Sequence, residues 1–167
     1  MAIVEGSNIM APRQYLTFSL GDESFAVDVA KVREILDIIQ ITKVPQMPAY
    51  MLGVINLRGS VVPVVDLRHQ FGLVALEQSR DTCIVVMEVA MEGELTVIGA
   101  LVDSVQEVLD LAPDQIEPPP RLGMKLRTEF ILGMGRRDEK FLILLDIDKI
   151  FSAEELLNLQ GSDNETD

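Results

Sequence analysis

The dominant spacing of apolar side chains is two. Leu16, Phe18 and Leu20 alternate with Thr17 and Ser19, and Phe25, Val27 and Val29 alternate with Ala26 and Asp28. An extended chain sends alternate side chains to opposite faces, so both runs predict strands. Gly21-Asp22-Glu23 between them supplies the turn of a β-hairpin. Val54–Leu57 and Val61–Val65 flank Arg58-Gly59-Ser60 and predict a second hairpin. Pro63 removes a ladder donor there, so its strand is expected to be an edge or to be bulged. Ile84–Val89 and Leu95–Leu101 around Met91-Glu92-Gly93-Glu94 predict a third, and Phe141–Leu145 a further short strand. Helical signals are brief. Asp66 can cap Leu67–Phe71 with Gly72 as the stop, Asp146 can cap Ile147–Phe151, and Ser152 with Glu155 forms a capping box. Many short strands and few helices indicate an all-β barrel or sandwich architecture.

The pattern repeats. Tyr50–Phe71 aligns without gaps on Phe130–Phe151 at an offset of 80, with Leu52/Leu132, Gly53/Gly133, Asp66/Asp146 and Phe71/Phe151 identical. Val29–Leu36 aligns on Val102–Leu109 at an offset of 73, keeping Val32/Val105 and Glu34/Glu107 in register. The offset changes where Pro113 and Pro118-Pro119-Pro120 lengthen the second copy. Repeats spanning about 15–72 and 81–151 predict two similar small β-barrels inside one domain of residues 13–160. Residues 1–12 are expected to be a flexible N-terminus and 161–167 a disordered acidic tail. Whether the barrels exchange strands is open at this level, and a groove between them is a natural binding site.

Charge narrows the function. With 27 acidic and 14 basic side chains the chain carries −13, which argues against nucleic acid and against docking on anionic lipid. The charge is uneven: residues 1–76 carry −1 and residues 77–167 carry −12. No apolar run approaches the length of a membrane span, so no direct membrane insertion is expected. The opening residues lack the marks of a secretion signal. A cytoplasmic chain is therefore expected. The single cysteine, Cys83, lies in the apolar run Cys83–Met87 and is expected to pack as a small hydrophobe.

Catalytic apparatus is scarce. The one histidine, His69, has no partner suggested by spacing, and Cys-x-x-Cys, His-Glu-x-x-His and Walker-type patterns are all missing. Neither a metal nor a cofactor is expected, and binding rather than catalysis is the default. Asp146 and Asp148 could be read as a magnesium pair or a phospho-acceptor, but Asp66 occupies the place of Asp146 and is followed two residues later by Arg68. A helix cap survives that replacement and a metal pair does not. Pro45-Gln46-Met47-Pro48 and Pro118–Pro120 read better as connections than as polyproline ligands.

Ile55–Arg68 (INLRGSVVPVVDLR) is the least generic stretch. Arg58 is a cation at the tip of an apolar hairpin, and the repeat places Asp138 at the same point, so symmetry does not require it. Glu34, in the strand-like segment VREIL, is the expected partner of its guanidinium.

With YLTFSLGDESFAVDVAKVREIL, LVDSVQEVL, the EPPP connection and the FLILLDIDKIF block, these motifs resemble the CheW-like domain family over about Tyr15–Leu159. The resemblance implies two SH3-like five-stranded β-barrels packed around a shared hydrophobic core, with a few short helices. It also implies a non-enzymatic adaptor of bacterial chemotaxis. Such an adaptor couples the cytoplasmic tip of methyl-accepting receptors to the regulatory CheW-like domain of the histidine kinase CheA, and in array rings meets other CheW-like domains. By motif position, the receptor-binding residues would be Val32, Glu34, Gly53, Asn56, Arg58, Gly59 and Val61. The kinase contact would use apolar barrel ends, with no residues assigned. The location implied is cytoplasmic, at receptor arrays on the inner membrane. The alternatives are a parallel chemosensory system with another output, such as surface motility, or a small phospho-acceptor using Asp146.

Overall fold

Each repeat contributes its first hairpin to the sheet of the other. The computed structural model describes residues 12–47, 50–71, 79–91, 93–119 and 130–151. The Ser152–Glu155 capping box, residues 1–11 and the acidic tail lie outside them. The first repeat supplies β1 (Arg13–Leu20), β2 (Glu23–Asp28), β3 (Val32–Asp37), β4 (Met51–Leu57), β5 (Ser60–Asp66) and α1 (Leu67–Gln70). The second supplies β6 (Cys83–Met91), β7 (Glu94–Val102), β8 (Ser104–Leu111), β9 (Ile116–Glu117), β10 (Ile131–Arg137), β11 (Lys140–Leu145) and α2 (Ile147–Phe151). One sheet runs β8-β1-β2-β11-β10-β9 and the other β3-β6-β7-β5-β4. In the second sheet the place of β9 is taken by Thr42, whose N–H and carbonyl both pair with Val54 at 2.8 and 2.9 Å. The two SH3-like barrels thus have the same strand order, each assembled from both repeats.

Apolar alternation is used on both sides of the strands. Phe18 and Leu20 of β1, Val85 and Met87 of β6, and Ile143 and Leu145 of β11 enter a core shared by the barrels. Their neighbours Ile84 and Val86 fill one barrel with Val62, Val64 and Leu101. Leu142 and Leu144 fill the other with Tyr15, Ala26 and Leu111. Runs such as CIVVM are continuous because both faces are buried. The space between the barrels, where a groove was expected, is therefore filled. Cys83 is part of the shared core, and burial pushes its thiol pKa up.

Pro63 departs from expectation. Its strand, β5, lies between β4 and β7 and is not an edge. Pro63 faces Val54, whose N–H and carbonyl point away toward Thr42, so this pair exchanges no ladder bonds. Pairing with β7 begins only at Val64. The missing donor therefore falls where no partner is waiting. Gly53 and Gly133 sit at register shifts, where the chain comes close from outside. A Cβ on Gly53, at φ 147°, would run into the Thr42 carbonyl oxygen, and one on Gly133 would lie 2.9 Å from that of Glu117.

The helices are capped as expected. Asp66 accepts from the Arg68 N–H at 3.0 Å, and Asp146 accepts from the Lys149 N–H at 3.3 Å. Arg68 is buried between two carboxylates. Its Nε and Nη2 donate to Asp66 at 3.0 and 3.2 Å, and its Nη1 donates to Asp103 at 2.8 Å. Burial works against the guanidinium charge, but Asp66 and Asp103 outweigh it and hold its pKa above the ordinary value. Asp103 also accepts from the Gly21 N–H at 2.6 Å, tying α1 to the β1–β2 turn and to the β7–β8 connection.

Two stability predictions follow from this packing. Gly53→Ala is expected to cost about 2–3 kcal/mol, because the Thr42 strand cannot retreat without losing its bridge. Arg68→Ala is expected to cost about 3–5 kcal/mol by leaving two part-buried carboxylates together. Denaturant melts check both, and a loss below about 0.5 kcal/mol for either change refutes its account.

Candidate functional site

The local geometry around Arg58 starts with two backbone irregularities. In β3 the register against β6 shifts between Val32 and Glu34. A bulge of this kind re-aims side chains, here at the rim of the barrel. In the β4–β5 hairpin, Arg58 and Gly59 form a two-residue turn with φ values of 51° and 87°. Positive φ at both positions is the type I′ pattern that matches strand twist. Glycine takes it freely. Arginine does not, and the Asn56 Oδ1 accepts from the Gly59 N–H at 2.8 Å, which closes the turn from within.

The turn and the bulge meet. Arg58 Nη1 donates to Glu34 Oε1 at 3.3 Å, and its Nη2 donates to Glu34 Oε2, a two-pronged pairing across sequence positions 24 apart. The hydrogen bond from Arg58 holds the Glu34 carboxyl below the ordinary glutamate pKa, and Glu34 holds the guanidinium above its own. Arg58 is nevertheless 71% exposed and Glu34 28% exposed. A planar cation is thus fixed in orientation while most of its surface stays open.

Beside it lies a groove of about 610 Å³, lined by Arg33, Leu57, Arg58, the start of β5 from Ser60 to Pro63, and Leu95–Val97 of β7. Its apolar wall carries Val61 and Leu95, which are 73% and 70% exposed. Of the residues expected at the site, Glu34, Asn56, Arg58 and Gly59 come together at the rim, with Val61 next to them. Val32 packs against the shared core instead, and Gly53 is buried beneath Thr42, so neither lines the groove. Arg33 and Leu95 were not foreseen. Arg33 pairs with Glu88 at 3.4 Å and adds a second cation to the groove.

The other barrel has a matching depression with different chemistry. It is lined by Ser24, Gln106 and the segment Asp138–Leu142. Asp138 repeats the positive φ of Arg58, at 56°, and Phe141 stands where Val61 stands, 49% exposed. Shape recurs and charge does not. Asp148 is engaged as well, accepting from Lys31 Nζ at 2.5 Å and from the Ala90 N–H at 2.8 Å. His69 is exposed on α1.

Two strand-exchanged SH3-like barrels with an oriented ion pair on the rim of an apolar groove define a module built to bind other proteins. The chain belongs to the CheW-like domain family, whose model matches residues 14–155. It is 38% identical to the chemotaxis protein CheW of Klebsiella aerogenes over 144 residues, covering 86% of this chain and 84% of that one. It is 32% identical to the chemotaxis protein CheW of Thermotoga maritima over 151 residues, covering 89% and 92%. The crystal structure of the scaffolding protein TtCheW from Thermoanaerobacter tengcongensis superposes with a TM-score of 0.76 at 34% identity, covering 86% of this chain and 90% of that one. The family is one of chemotaxis scaffold proteins and not a known enzyme class. Among the described residues no helix is long and apolar enough to cross a membrane.

The ion pair makes a prediction about pH. Because the folded pKa of Glu34 is depressed, the pairing is present above the ordinary carboxylate range and is lost as pH falls through the depressed value. In Arg58→Ala, the carboxyl of Glu34 followed by carbon NMR is expected to titrate higher, near an ordinary glutamate. An unchanged midpoint would show that the pair does not form in solution.

Proposed function

We propose that this chain couples methyl-accepting chemoreceptors to the histidine kinase CheA and does so by binding alone. The observation that carries this reading is the Arg58–Glu34 pair, held beside the exposed Val61 and Leu95 on one barrel only. A receptor tip of the kind the family resemblance implies is a helical hairpin. An amphipathic helix laid in a groove needs an apolar wall for its stripe and a polar anchor at the edge. Glu34 supplies the second requirement indirectly. By holding the guanidinium in one plane it lowers the entropy lost when a partner's carboxylate or carbonyl meets it. Asn56 and Gly59 act through the turn they form, Val32 through its place beside the bulge that carries Glu34, and Gly53 by letting Thr42 pair with β4.

A coupler needs a second surface for the kinase. Val108, Leu132 and Phe141 are about half exposed on the other barrel, and there the counterpart of Arg58 is Asp138. Different charge at the same place lets each barrel discriminate its neighbour. This reading places the chain in the cytoplasm, at receptor arrays on the inner membrane.

Arg58→Glu tests the assignment. Receptor binding and kinase activation in a reconstituted receptor–kinase assay are expected to fall at least tenfold. The thermal midpoint should stay within a few degrees, since changes of exposed charge usually cost under about 0.5 kcal/mol. Unchanged activation removes Arg58 from the site. Capture from the native cytoplasm then identifies which receptor and kinase accompany the chain, and so which chemosensory output it serves.

A further inference from the structure

The two junctions where a helix of one repeat meets a strand end of the other are built alike and charged oppositely. Arg68 lies two residues after the capping Asp66 and reaches Asp103, between β7 and β8, at 2.8 Å. Asp148 lies two residues after Asp146 and meets Lys31, between β2 and β3, at 2.5 Å. In one junction the helix brings the cation and the strand end the anion. In the other the roles are reversed.

Neither hydrogen bonding nor apolar alternation explains why unlike repeats pair, because both repeats share one strand pattern. Exchange itself has a geometric cause. A single residue, Asp103, separates β7 from β8. Two Cα steps reach at most about 7 Å, whereas stepping over β6 to lie on its far side needs two strand spacings, about 9.5 Å. The second repeat therefore cannot close on its own hairpin and must give it to another repeat. That other repeat could equally belong to a second copy of the chain, first with first and second with second. In such a like-with-like assembly Arg68 would face Lys31, and Asp148 would face Asp103.

We infer that this reversal of sign is a pairing code: the short β7–β8 connection forces the hairpins to exchange, and the two junctions restrict exchange to unlike repeats. The code acts on assembly and leaves the groove at Arg58 untouched, so it stands independently of the proposed coupling role.

The test changes the code while keeping an opposite-charge pair at the junction, at the loss of the Asp148 acceptor for the Ala90 N–H. In K31D/D148K the second junction still pairs opposite charges, but it now has the same polarity as the first, so like repeats no longer repel. Cysteines introduced by S19C/S104C report native pairing, because Ser19 Oγ and Ser104 Oγ lie 2.7 Å apart across β1 and β8. The full chain is refolded from denaturant at high protein concentration under oxidising conditions, with either charge arrangement. Light scattering and non-reducing electrophoresis then read out the species formed. The parent charges are expected to give crosslinked monomer, and K31D/D148K at least a threefold larger fraction of dimer in which positions 19 and 104 are not joined. An unchanged yield of crosslinked monomer overturns the inference, and so does a dimer whose 19–104 crosslinks run between chains. If K31D/D148K fails to fold by circular dichroism, K31Q/D148N removes the repulsion at each junction and is judged by the same outcomes.

Discussion

Burial of both faces of the central strands is the condition on which everything else in this molecule rests. Twenty-two described residues line the core between the barrels, against six and five inside the barrels themselves. A barrel interior of five or six side chains removes too little apolar surface from water to offset the entropy of ordering its strands. The shared core supplies the difference, and hairpin exchange stitches it together. The barrels therefore share most of their fully buried apolar side chains.

Local geometry explains how a mostly exposed ion pair can matter. Surface salt bridges contribute little to stability, because two long side chains must be held in one geometry. Here a bulge in β3 and a closed turn in β4–β5 have already fixed both backbones, so little remains to be ordered. The consequence is direction: the guanidinium plane is held one way at the rim. The matching turn of the second repeat keeps the backbone and replaces the cation with Asp138. The repeat thus sets the same turn on both barrels with opposite charge at its tip.

Much of this was legible in the sequence. Alternation located the hairpins, Asp66 and Asp146 marked the caps, and the offsets of 80 and 73 exposed the repeat. Even the Arg58–Glu34 pairing could be inferred, from a cation at the tip of an apolar hairpin and an acid in the strand-like segment VREIL. Three things could not be read. The exchange of hairpins was hidden because both repeats carry the same pattern, so no local feature says whose partner a strand takes. Pro63 suggested an edge because a missing donor is a property of one residue, while its cost depends on where two neighbouring ladders begin. Gly53 lies in the same motif as the expected binding residues, and the motif says nothing of its packing. Only the path of Thr42 across β4 shows that its missing side chain makes room for backbone.

Hairpin exchange also sets the order in which the molecule can be completed as it is made. All the strands of the barrel carrying Arg58 have been synthesised once β7 ends at Val102. The other barrel needs β11, whose Ile143 and Leu144 pair with Phe25 and Ala26 of β2. More than a hundred residues separate those partners, on the order of ten seconds of translation. During that interval Phe18, Phe25 and Val27 must be covered by the growing shared core or by a chaperone. The barrel that carries Arg58 is thus the one whose strands the ribosome completes first.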